Sequence, residues 1–172
     1  MKPARRRDAR APVIDVVIAS RRWNKAPSAA TLVRRTIAAA APARARNAEV
    51  SVILTNDRAI CDLNRRWRGQ DKPTNVLSFP APKRTGRATR TGGAPRHLGD
   101  IVIAYETVAS EARAERKPFD HHLAHLAVHG FLHLLGYDHE SHQEAEAMER
   151  RERTILVRLG VPDPYAARDA DV

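Results

Sequence analysis

The stretch Phe119-Asp120-His121-His122-Leu123-Ala124-His125-Leu126-Ala127-Val128-His129-Gly130-Phe131-Leu132-His133-Leu134-Leu135-Gly136 decides the architecture. Apolar residues occupy most of its helical circumference, so the helix it predicts, Phe119 to Leu135, must be covered on nearly every side. Pro118 and Asp120 mark its start and Gly136 its end. A central helix of this kind needs a layer to pack against. The sequence on either side offers short strands and further helices.

Upstream, Val13 to Ala19 is a Val- and Ile-rich strand. Pro27 and a capping Ser28 open an alanine-rich helix from Ala29 to Ala41, closed by Pro42. Val50 to Leu54 is again strand-like. Asp57 is placed to cap a helix that carries Ile60, Leu63 and Trp67 at inward spacing and stops near Gly69. Pro73 forces an extended approach to the strand Val76 to Phe79, which Pro80 and Pro82 end. Leu98 to Ala104 reads as strand and Glu106 to Arg116 as helix. Downstream, Ser141 and Glu144 form a capping box for a last helix that turns Met148, Ile155, Leu156 and Leu159 inward before Gly160.

These elements predict one α+β domain over residues 13–160, a small mixed sheet of about four strands covered by about five helices, with the histidines at the end of a buried helix. A basic tail (1–12), a basic loop (81–96) and a frayed C-terminal tail (161–172) flank or interrupt it. Strand order is not legible at this level.

With 172 residues, 42% hydrophobic and 29% charged, the chain can bury one sizeable core and is not wholly disordered. Its net charge of +10 points to a polyanionic partner or to a merely cationic surface. The charge is concentrated at Lys2, Arg5, Arg6, Arg7 and Arg10, and again at Lys83, Arg84, Arg87, Arg90 and Arg96. Cys61 is the only cysteine, which excludes an intramolecular disulfide and favours a reducing compartment. Val13 to Ala19 is too short, and too interrupted by Asp15, to act as a secretory core. No stretch approaches the ~20 apolar residues that cross a bilayer. The expected location is the cytoplasm, away from membranes.

His129 and His133 lie one turn apart on one helix face and can present their imidazoles to one ion. A third ligand requires the chain to bend. Gly136 can take a positive φ there and swing His139 to the open side. Three neutral nitrogens leave one position for water, the composition of a catalytic zinc site. Zinc brings the pKa of such a water to roughly 7, so the chemistry implied is hydrolysis.

His125, His129 and His133 form an alternative triad. Steps of four drift by ~40° each, however, and three ligands along one straight face do not surround an ion. His125 is therefore expected to support the site, and His121, His122 and His142 to lie at the surface. Asp138 is either a carboxylate orienting a ligand or a turn residue, and Met148 is core. The histidine spacing equals that of the zinc peptidase pattern H-E-x-x-H-x-x-G-x-x-H, but Gly130 stands where that pattern carries its glutamate base.

His129 to His139 also fits H-G-x-L-H-L-x-G-Y-D-H at every fixed position. Leu63-Asn64, the run Trp67 to Pro80, and Leu98-Gly99-Asp100-Ile101 add two further motifs. On these residues the sequence resembles the YbeY family of bacterial endoribonucleases, from about Val13 to Gly160. Trp67 stands where tyrosine is expected, and the loop from Lys83 to Arg96 is longer and more basic than the family needs.

The resemblance implies one zinc ion held by His129, His133 and His139, with His129 also counted as catalytic. It implies a single-stranded RNA substrate, maturation of the 16S ribosomal RNA 3′ end, ribosome quality control, and a ribosomal subunit or ribosomal protein as partner. It also implies a functional arginine at Arg68, whose planar guanidinium suits the charge that builds on phosphoryl oxygens. Two other readings stay open, a ribosome assembly factor with a structural zinc and a zinc-dependent peptide hydrolase. The nucleophile, water or the RNA 2′-hydroxyl, is also open.

Overall fold

Alternation of β-branched and polar residues builds the strand Ala48–Thr55, in which Val50, Val52 and Leu54 are fully buried. This strand, β2, is central among β1 (Val13–Ile18), β3 (Val76–Pro80) and β4 (Arg96–Ala104). The helices are α1 (Ala29–Ala40), α2 (Asp57–Arg68), α3 (Tyr105–Ala114), α4 (Phe119–Leu134) and α5 (His142–Arg158). The structure is a computed structural model and describes residues 11–82 and 95–166. Nearly all of the basic tail, residues 83–94 of the basic loop, and residues 167–172 lie outside the described residues.

The sheet has the order β1-β2-β4-β3. β1 and β4 run parallel to β2, and β3 pairs antiparallel with β4. Pro80 ends β3 at the sheet edge, where its missing N–H breaks no ladder. The expected α+β domain with a four-stranded mixed sheet and five helices is what forms.

α4 is the buried helix that its composition demands. Leu123, Ala127, Val128 and Phe131 have no exposed surface, and they pack with Val33 and Ile37 of α1, with Ile101 and Ile103 of β4, and with Met148 and Leu156 of α5. Each large apolar side chain buried this way contributes about 1.5–3 kcal/mol. On the opposite sheet face a smaller cluster joins Ile60 of α2 to Leu77, Val102 and Ala104.

Three local expectations give way to the structure. Ser28 is already in helical conformation and makes no side-chain cap bond. The cap of α2 is Asn56, whose Oδ1 accepts from the Ala59 N–H at 3.0 Å, while Asp57 accepts instead from the Thr107 N–H at 3.1 Å and hydroxyl at 2.8 Å. Trp67 does not turn inward. It is 70% exposed, its ring edge against Phe79 at 5.9 Å between centroids. The capping box of α5 forms as expected.

Residues 161–165 are not a free tail. Lys117 Nζ donates to the Pro164 carbonyl at 3.1 Å, and Arg153 lies over the Tyr165 ring at 5.3 Å. Among the described residues no helix is long and apolar enough to cross a membrane.

Candidate metal centre

The end of α4 is built to bend. The Tyr137 N–H donates to the Leu132 carbonyl at 3.1 Å and the Gly136 N–H to that of His133 at 3.0 Å, with Gly136 at φ 91°. This is the glycine-terminated helix end expected from the sequence. It returns the chain so that the His139 ring lies 5.8 Å from that of His129 and 5.1 Å from that of His133. One nitrogen from each of the three histidines falls within 4.8 Å of the others.

Hydrogen bonding fixes which nitrogens face inward. His133 Nδ1 lies 3.0 Å from the Tyr137 carbonyl oxygen, and His129 Nδ1 lies 2.8 Å from Glu152 Oε1. Neither a carbonyl nor a carboxylate can donate, so both Nδ1 atoms carry the proton. With both rings neutral, the two Nε2 lone pairs face each other at 3.1 Å. Two lone pairs so placed call for a cation. Nitrogens bound to one tetrahedral zinc at 2.0–2.1 Å stand roughly 3.3 Å apart, so the donor set fits such an ion. Imidazole nitrogen suits zinc, copper, nickel and iron alike, which bounds the metal without naming it.

Burial pushes the His133 imidazole below its ordinary pKa, and the neighbouring His129 and His139 add to the effect. A neutral ring is the ligating form.

His125 stands outside the ligand set. Its Nε2 lies 3.0 Å from Glu152 Oε2 and 3.3 Å from the Tyr165 hydroxyl. His122 corrects the sequence expectation of a surface residue, being only 5% exposed because α3 covers that side of α4. Its Nε2 lies 2.8 Å from Glu111 Oε2, and Glu111 also accepts from Asn75 Nδ2 at 3.0 and 3.2 Å. His121 is half-buried, and His142 is exposed beside Glu146. Asp138 Oδ1 accepts from the His139 N–H at 2.8 Å, which is the turn role.

A cavity of about 690 Å³ opens beside the histidines, lined by His129, His139, His125, Glu152, Asn75 and Tyr165 among others. Arg68 is not part of its lining. It is exposed at the last position of α2, and its side chain makes no ion pair or hydrogen bond among the described residues.

Residues 18–160 match the family described as endoribonuclease YbeY. The chain belongs to the YbeY endoribonuclease family. The endoribonuclease YbeY of Bradyrhizobium sp. strain BTAi1 is 57% identical over 161 residues, covering 92% of this chain and 95% of that protein. The one from Rhodopseudomonas palustris strain BisA53 is 56% identical over 161 residues, 92% of each chain. The one from Nitrobacter hamburgensis is 52% identical over 161 residues, 92% of this chain and 84% of that protein. The solution structure of TM1509 from Thermotoga maritima shares 25% identity over 86% of this chain and 91% of that one, at a TM-score of 0.47.

Membership in the YbeY family makes the chain an endoribonuclease, a hydrolase of phosphodiester bonds, with a histidine triad that can hold a metal. The geometry around Gly130 also disfavours the peptidase reading. A Cβ at Gly130 would lie 3.0 Å from Ile101 Cγ2 and from Ser78 Oγ, so a glutamate beside the first histidine would crowd the sheet.

Several charged or polar residues at the site were not singled out by the sequence reading. They are Glu152, Tyr165, and Glu111 with Asn75. Burial would raise the Glu152 carboxyl, but hydrogen bonds from His125, His129 and Tyr165 outweigh it and hold its pKa down to about 2. The signal available was helical spacing, since Glu152 lies four residues from both Met148 and Leu156 on the inward face of α5.

Proposed function

We propose that this chain is a zinc-dependent endoribonuclease specific for single-stranded RNA. It acts in the cytoplasm on the 3′ end of 16S ribosomal RNA and in ribosome quality control, with a ribosomal subunit or ribosomal protein as partner. The observation that carries the reading is the pair of facing Nε2 lone pairs of His129 and His133, with His139 beside them, in a chain of an endoribonuclease family. The net charge of +10 supports a polyanionic substrate, and the match of Trp67 to Pro80 supports Arg68 as a functional residue.

His129, His133 and His139 hold the ion. Bound zinc supplies Lewis-acid stabilisation of phosphate charge and acidifies a water. His129 lines the cavity and thus also faces the substrate. Arg68 brings two parallel N–H donors to the charge that develops on the phosphoryl oxygens. Lys83, Arg84, Arg87, Arg90 and Arg96 gather the RNA backbone by long-range attraction.

The test is cleavage of a defined single-stranded RNA and of the same sequence as a duplex, before and after chelation and with zinc added back. Single strands should be cut, chelation should stop the reaction and zinc should restore it. Arg68→Ala is expected to stay folded and zinc-loaded while turnover falls roughly 10²- to 10³-fold, the usual effect of removing one transition-state donor. Cleavage indifferent to chelation would overturn the zinc-dependent reading. Unchanged turnover in the variant would remove Arg68 from the site. RNA binding without any cleavage would favour an assembly role. A substrate with one 2′-deoxy sugar at the scissile position separates attack by water from attack by the RNA itself.

A further inference from the structure

Glu152 is a charged residue with no exposed surface, carried by a helix whose other glutamates face solvent or its margin. A carboxylate in such a place is expensive unless every lone pair is served. Here three donors arrive, two from successive turns of α4 and one from the segment after α5. His129 Nδ1 reaches Oε1 at 2.8 Å, His125 Nε2 reaches Oε2 at 3.0 Å, and the Tyr165 hydroxyl donates to Oε2 as well.

The carboxylate has no hydrogen to give, so His129 must hold its proton on Nδ1 and keep the Nε2 lone pair free. That lone pair is the one aimed at His133 Nε2. The three ligand histidines are not supported equally. His133 is oriented by a neutral backbone carbonyl, that of Tyr137, and His139 is exposed. Only for His129 is a buried anion the orienting group among the described residues.

We infer that Glu152 is the positioning residue of the metal centre, fixing the tautomer and ring plane of His129 and raising its basicity as a ligand. The inference rests on the reading that the triad binds a metal. Tyr165 and His125 complete the arrangement by occupying the other oxygen, which leaves Oε1 to His129 alone. The competing account is that Glu152 only ties α5 to α4. That account predicts lower stability of Glu152→Gln with undiminished metal affinity in the molecules that fold.

One measurement decides between them, and a second tests the tautomer on which the inference stands. The first is zinc affinity of wild type and Glu152→Gln by competition with a chromophoric chelator, with the cobalt-substituted absorption spectrum and the melting temperature of the metal-free forms recorded alongside. The folded variant is expected to bind zinc about 10- to 100-fold more weakly, the usual effect of losing an outer hydrogen-bond partner, and to show a shifted cobalt band. Tyr165→Phe leaves the Oε1 contact in place and should weaken binding by no more than about threefold.

The second measurement needs no variant, so it can overturn the inference even if Glu152→Gln fails to fold. Proton–nitrogen correlation spectra of metal-free wild type above neutral pH should show His129 as the Nδ1–H tautomer. Wild-type zinc affinity with an unshifted cobalt band in Glu152→Gln, or an Nε2–H tautomer in the wild type, overturns the inference. A wild-type chain that takes up no zinc overturns the metal reading itself and this inference with it.

Discussion

Gly130 lets α4 approach the sheet closely. The missing Cβ would meet Ile101 Cγ2 and Ser78 Oγ at 3.0 Å, and the Ser78 hydroxyl donates to the Gly130 carbonyl at 3.1 Å. Gly130→Glu should therefore fail to create a peptidase base. It is expected to destabilise the fold by roughly 3 kcal/mol or more, through overpacking and a buried unpaired charge. A denaturation midpoint equal to that of the wild type would contradict the close approach. At this scale the gathering of His129, His133 and His139 was legible, because the spacing of His129 and His133 and the bend at Gly136 are local geometry. Glu152 was not. It shares α5 with Glu144, Glu146 and Glu149, and although it lies four residues from both Met148 and Leu156 on the inward face, nothing local says that a histidine 23 positions away serves its charge.

Between elements, Glu111 is the clip that joins α3 to His122 of α4 and to Asn75 at the start of β3. Burial would raise its carboxyl, but the hydrogen bonds from His122 and Asn75 prevail and hold its pKa below the ordinary 4.5. A carboxyl more acidic in the folded than in the unfolded chain adds stability above its unfolded pKa and loses it as pH falls through the folded one. Wild type should thus melt higher than Glu111→Gln near neutral pH, and the gap should close as pH drops below 4.5. A gap that does not vary with pH would contradict this clip.

Existence and type of the elements could be read because periodicity and proline or glycine punctuation are local signals. The failures lie where another partner competes. Asn56 offers a cap one residue earlier, which releases Asp57 to bind Thr107 in the first turn of α3. Asn64, not Trp67, continues the inward face of α2 beyond Ile60, its amide donating to the Lys72 carbonyl at 2.8 Å. A polar residue turned inward and an aromatic turned outward is a tertiary outcome that helical spacing does not carry.

For the whole molecule, the sheet order sets β4 between β2 and β3, pairing segments that no local pattern links. The contact of Tyr165 with Glu152 is likewise a long-range feature, which is why residues 161–165 read as tail. Charge, in contrast, is fully legible. With a net +10, RNA binding should weaken steeply with added salt. Replacing Lys83, Arg84, Arg87, Arg90 and Arg96 by neutral residues should flatten the logarithmic salt slope by about 0.7 for each phosphate of a single strand that the loop no longer neutralises. An unaltered slope would take this loop off the RNA path.

The central claim is that His129, His133 and His139 together hold a metal ion on which RNA cleavage depends. It is tested most directly by measuring metal content and cleavage of a single-stranded RNA on the same preparations of wild type and His133→Ala. Wild type is expected to carry one zinc per chain and to cleave, while the variant loses both together. Undiminished cleavage by metal-free His133→Ala would contradict the account.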